Sequence, residues 1–131
     1  MQLSPQVQLD KKETPYVSLH IEKGIMHCIF RSNLHMDLEV AKQCVGARIE
    51  FSKGISYPCL IDMEGVKSTD SKARVYMAKE GARLMKAGAM LTSSMYTKML
   101  GNVFLTINKP EIPVRLFSDK ATAIKWLKQY L

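Results

Sequence analysis

The chain has 131 residues, about half of them apolar, and no low-complexity tract, enough for one folded domain with a real core. A formal net charge of +7 admits an acidic protein, an anionic surface or nucleic acid as partner, and says nothing of fold. No apolar run approaches the ~20 residues of a membrane span, and Met1–Thr14 lacks the apolar middle of a signal peptide. The expected location is therefore cytoplasmic, with residues 1–14 a flexible leader and 15–131 a single domain. Cys28, Cys44 and Cys59 are odd in number and widely spaced. They form no zinc pattern and read as buried free thiols.

In chain order, Tyr16–Ile21 and Ile25–Phe30 read as two strands around a turn at Lys23-Gly24. A two-residue turn pairs Ile21 with Met26, Leu19 with Cys28, and Val17 with Phe30, all apolar. The same register sets His20 against His27 on the other face. Two opposed imidazoles can bind a metal or sense pH. His35 is nearby in sequence but no third ligand is evident, so the pair reads as two surface histidines and no metal is expected. Asp37 can cap a helix running to about Lys53, stopped by Gly54. Arg48 falls on its apolar side, where it either snorkels or pairs with a carboxylate such as Asp62.

Cys59-Leu60-Ile61 is an unbroken apolar run that suits a strand buried on both faces, spanning Pro58–Met63. Asp62 ends it, and a polar loop, 66–71, leads to a helix expected from Ser71 to Lys86 with Asp70 or Thr69 as cap. The carboxyl end of a buried strand is where open α/β folds place ligands. Asp62, Glu64, Asp70, Ser71 and Arg74 are therefore the candidate loop site. Three acids in one turn more often cap backbone than catalyse. Lys72, Lys79, Arg83 and Lys86 share an arc of about 60° if the helix is continuous, a basic face suited to an acidic partner. No aromatic ladder accompanies it, so sequence-specific nucleic-acid binding is not expected.

Ala87–Leu91 reads as a further strand. Thr92 or Ser93 then caps a helix to about Asn108 whose apolar arc holds Tyr96, Met99, Leu100, Val103, Phe104 and Ile107. Nine methionines are many for this length, and flexible thioethers fill irregular cores or adaptable pockets. Met90, Met95, Met99 and Phe104 are the candidate lining of an apolar ligand site. After the extended Lys109–Pro113, Val114–Phe117 makes the last strand. Ser118 caps a final helix that buries Ala123, Ile124, Trp126 and Leu127. The order β-β-α-β-α-β-α-β-α implies an α/β fold with an open mixed sheet and right-handed crossovers. No phosphate loop, His-Glu-x-x-His or Gly-x-Ser-x-Gly motif is present, no nucleophile is paired with a base, and neither a cofactor nor enzymatic catalysis is expected.

The element order resembles the SpoIIAA-like, or STAS, fold of anti-sigma-factor antagonists and sulphate-transporter domains. The likeness is to an uncharacterised bacterial branch. It is carried by Leu60-Ile61-Asp62-Met63-Glu64-Gly65-Val66 and by Pro113–Phe117 through Ala123-Ile124-Lys125-Trp126-Leu127. The resemblance implies a non-enzymatic regulatory or protein-interaction module, or, from lipid-handling relatives of the fold, a binder of a small hydrophobic ligand. Antagonists of this type carry Asp-Ser-Ser-Gly at the start of the helix and are phosphorylated on the second serine. Here the stretch reads Asp70-Ser71-Lys72-Ala73. Lys72 stands at the phosphoacceptor position, so the usual switch is not expected; Ser68, Thr69 and Ser71 are the hydroxyls left nearby. Such open sheets often hide apolar surface in a homodimer, here through Tyr16, His20, His27 and Ile29 or the edge of the methionine helix.

Overall fold

A computed structural model describes residues 11–131. Its six-stranded sheet runs β1 (Lys11–Glu13), β2 (Val17–Glu22), β3 (Ile25–Phe30), β5 (Tyr57–Asp62), β7 (Met85–Leu91), β8 (Val114–Phe117). β1, β2 and β3 pair antiparallel, and β3, β5, β7 and β8 pair parallel. The β2–β3 turn holds Lys23 and Gly24 at φ 53° and 81°, the left-handed pair of a two-residue hairpin. It sets the expected register, with Val17 opposite Phe30, Leu19 opposite Cys28, Ile21 opposite Met26 and His20 opposite His27.

Four helices follow the strands: α1 (Leu38–Ser52), α2 (Ser71–Lys79), α3 (Met95–Val103) and α4 (Lys120–Leu127). Asp37, Asp70, Ser94 and Asp119 cap them, each accepting a hydrogen bond from an amide three residues on. The crossovers place α1, α2 and α3 on one face, where Met26, Cys28, Cys59, Ala41, Cys44, Ala73 and Leu100 pack together. α4 covers the other face, packing Ala123 and Leu127 on Ile25, Leu60, Ala87 and Ala89. This confirms the mixed α/β sheet and the order of its hairpin, parallel strands and four helices, with Cys59 and Leu60 turned to opposite cores.

Several expectations are corrected. Lys11–Glu13, expected within a flexible leader, form an edge strand on β2; residues 1–10 lie outside the described part. The polar stretch after β5 is not a plain loop. Val66–Thr69 form β6, which pairs parallel with β4 (Leu34–Met36) in a second, two-stranded sheet. The helix expected over 71–86 stops at Lys79. A 3-10 turn, Glu80–Ala82, and a left-handed Leu84 at φ 56° turn the chain into β7. Ser94 rather than Thr92 or Ser93 caps α3, which ends in a π turn, Phe104–Asn108. Asp119 rather than Ser118 caps α4. Arg48 neither snorkels nor meets Asp62. It is buried, and its Nη2 donates to Gly81 O and Arg83 O, both at 2.8 Å. The guanidinium thus satisfies two carbonyls of the turn that follows α2, at Gly81 in the 3-10 turn and at Arg83 just past it.

Candidate functional site

The site lies at the carboxyl end of β5. Asp62 Oδ1 accepts from Glu64 N at 3.0 Å, and Val66 N donates to Met63 O at 3.0 Å, closing a tight turn. Gly65 sits where a Cβ would come within 2.2 Å of Arg31 O, so only glycine lets these two backbones approach. That approach seats Leu34 N on Gly65 O at 2.9 Å and starts the β4–β6 pairing. Asp70 N then donates to Met36 O at 3.2 Å, and Asp70 Oδ1 accepts from Ala73 N at 2.8 Å. The small sheet thereby fixes where α2 begins.

The acids of the candidate loop site are thus held by separate backbone partners. Asp62 closes the turn and Asp70 caps α2. Glu64 reaches across to α3, accepting from Ser93 N and from Thr97 Oγ1 at 3.3 Å. The Ser93 amide is the first cause that holds the Glu64 carboxyl below its ordinary range. Arg74 turns back on the strand end, donating from Nη1 to Thr69 Oγ1 at 2.7 Å and Thr69 O at 3.2 Å. Ser71 is exposed, Ser68 Oγ lies 2.8 Å from His35 Nδ1, and Thr69 is held by Arg74. Among the described residues the side chains of Asp62, Asp70 and Arg74 share no hydrogen bond with one another; Arg74 N donates to Asp70 O at 3.1 Å in the first turn of α2. Carboxylates committed in this way act as anchors for the loop.

Beneath the loop is an apolar cavity of about 100 Å³, lined by Met36, Met63, Met77, Met85, Met90 and Phe104 among others, with Arg74 at its polar edge. Of the four residues expected to line a ligand site, Met90 and Phe104 do so. Met95 and Met99 do not; they are 87% and 52% exposed. α3 buries Thr97 and Gly101, and Met99 stands about 200° of helical turn from both. Gly101 is on the buried side because Leu116 of β8 presses against it; a Cβ there would lie 2.5 Å from Leu116 Cδ2. Met36, Met63, Met77, Met85 and Met90, from four other segments, line the space. The cavity is smaller than the ~300 Å³ at the low end of ligand sites.

The basic face is also redrawn. Lys72 and Lys79 are exposed on α2, whereas Arg83 lies beyond the 3-10 turn, 3.6 Å from Glu80, and Lys86 sits on β7. The continuous stripe required an unbroken helix, and the register of β7 on β5 ends that helix early. What remains is an open depression of about 390 Å³ between α1 and α2, formed by Leu38, Ser71, Lys72, Val75, Tyr76 and Lys79, with Glu80 at its end. Val75 is 59% exposed at its centre. An exposed valine between two lysines was missed because the apolar pattern of the helix drew attention to its other side. Of the two surfaces expected for self-association, the hairpin face exposes Ile29 at 39% while Tyr16 packs against the core and His27 is buried, and the edge of the methionine helix exposes Met95, Tyr96, Met99 and Ile107.

The three cysteines are free and buried. Burial pushes the Cys44 thiol up to about 12. Cys59 is also raised, first by its hydrogen bond with Cys28 and then by burial. Thiols held protonated are poor nucleophiles.

A mixed sheet with three crossover helices on one face and one on the other, and a capped loop after its central strand, defines a SpoIIAA-like domain. The chain belongs to the family described as a domain of unknown function, DUF7793, whose model matches residues 19–131. Among solved structures it is similar to an uncharacterised DUF3478-family protein with a SpoIIAA-like fold from Shewanella loihica PV-4. The TM-score is 0.57 and the identity 14%, covering 88% of this chain and 98% of that one. No curated protein matches. Among the described residues, no helix is long and apolar enough to cross a membrane.

Proposed function

We propose that this protein is a non-enzymatic interaction module that docks an acidic protein partner on the depression between α1 and α2. The observation that carries the reading is Val75, exposed at the centre of α2 and flanked one turn away on either side by Lys72 and Lys79. An apolar contact flanked by two lysines gives a surface both desolvation energy and electrostatic steering toward an acidic patch. The net charge of +7 adds long-range attraction of the same sign. Recognition on this face would run without a serine switch, because a lysine at position 72 supplies permanent positive charge where related antagonists gain negative charge. The anchored carboxylates support the same reading, since they stiffen the β5–α2 connection and so fix the direction of α2.

Site-specific photo-crosslinking tests it. A photoreactive side chain at Val75 should trap a partner with an acidic surface in cells, and one at Ile55 on the α1–β5 connection should not. Trapping that persists unchanged when Lys72 and Lys79 are both reversed to glutamate would refute the proposal.

A further inference from the structure

The hairpin that opens the parallel sheet carries a group of ligands outside the loop site. His20 and His27 stand directly opposite on β2 and β3, their rings stacked 12° from parallel with centroids 4.4 Å apart. His35, the nearby histidine in sequence, is on the other sheet and meets Ser68. The third ligand is Glu22, two residues from His20 and therefore on the same face of the same strand. Its Oε1 lies 3.6 Å from His20 Nε2. One donor atom from each of His20, Glu22 and His27 falls within 4.8 Å of the other two.

We propose that His20, Glu22 and His27 form a binding site for a divalent transition-metal cation of the zinc class, with the fourth position left to water. Two imidazoles and one carboxylate are a donor set for a four-coordinate ion that keeps an open position. Zinc–nitrogen bonds of about 2.0–2.1 Å require the donors to draw together from their present spacing. The side chains can do this unequally. His27 is buried and fixed, whereas the His20 and Glu22 side chains are 25% and 62% exposed and free to swing inward. The backbone need not move, because the Lys23-Gly24 turn fixes the strand register. The charged groups about the site are Glu22, Lys120 and, opposite His20 on β1, Lys11. The lysines oppose a dication and Glu22 offsets them in part. That balance favours an imidazole-seeking metal over Mg²⁺ or Ca²⁺, which depend on anionic oxygen.

Titration of the full chain with Co²⁺, followed by displacement with Zn²⁺, tests the site. The expected result is one equivalent of Co²⁺ with visible bands of nitrogen and oxygen coordination, bleached by Zn²⁺, and a Zn²⁺-dependent rise in Tm. His20→Gln and Glu22→Gln should each weaken binding by about tenfold or more, and His35→Gln should leave it unchanged. His27→Gln should abolish it, with circular dichroism to confirm folding. His20→Gln carries the test if that buried variant does not fold. Binding indifferent to His20 and Glu22, thiolate-to-cobalt absorption that places the ion on the cysteines, or no binding below millimolar metal would each overturn the proposal.

Discussion

Replacing Gly65 by alanine probes the joint on which the loop is built. A Cβ there would lie 2.2 Å from Arg31 O, 2.6 Å from Arg31 C and 2.7 Å from Phe30 O. All three atoms are backbone, so no side chain can rotate away, and the two segments must part by about 0.8 Å to reach 3.0 Å. Overpacking of this kind costs about 1–3 kcal/mol, and losing the Leu34 N to Gly65 O hydrogen bond adds about 1 kcal/mol. A loss of about 2–4 kcal/mol should appear in urea unfolding as a lower midpoint with an unchanged slope, and as a Tm lower by about 10 °C. Gly46 is the control. It lies inside α1 with nothing within 4 Å of its would-be Cβ, so Gly46→Ala should stabilise by about 0.5–1 kcal/mol. Hydrogen exchange should show the Leu34 amide losing protection in Gly65→Ala before the amides of β5 do. A Gly65→Ala protein within 0.5 kcal/mol of wild type would refute the close approach and the rigid loop built on it.

Other substitutions separate filler from surface. Met90→Ala, in the buried methionine cluster, should cost about 2–5 kcal/mol, while Met99→Phe on the exposed side of α3 should change stability by less than about 0.5 kcal/mol; thermal melts distinguish them. Glu64 has its pKa lowered in the folded protein from an ordinary 4.5, so its contribution is complete above that value and lost as pH falls through the folded pKa. Glu64→Gln should flatten the acid limb of the stability profile between those two values, and an unchanged limb would remove the carboxylate's role in joining the loop to α3. Phosphopeptide mapping of the protein from its own cells should find no phosphate on Ser68, Thr69 or Ser71, and stoichiometric phosphate on Ser71 would restore a switch to the account.

The hairpin, the parallel strands and their helices were legible because each rests on a local signal. Lys23-Gly24 sets one register, the Cys59–Ile61 run marks a doubly buried strand, and Asp37 and Asp70 are caps with a run of periodic residues behind them. The errors fall where a distant partner decides. Val66–Thr69 is polar and becomes a strand only because Leu34–Met36 lies alongside it, brought there by Gly65. The 71–86 helix pattern continues in apolar residues after Lys79, but pairing of Met85 with Tyr57 pulls the chain out of the helix. Met95 and Met99 belong to the right helix and the wrong side, since the contact of Gly101 with Leu116 sets its rotation. The loop site was readable as a place, because Asp62, Glu64 and Asp70 cluster in sequence, and their role as anchors follows from amides the sequence does not locate. Glu22 was within reach, as period-two alternation puts it beside His20.

The most direct measurement of the central claim is the affinity of the trapped partner for wild type and for Lys72→Glu/Lys79→Glu, taken across a salt series. The account predicts that the reversal weakens binding by at least tenfold at low salt, and that the affinity of the wild type, but not of the variant, falls steeply as salt rises. Equal affinities with parallel salt dependence would contradict docking of an acidic partner on the α1–α2 face.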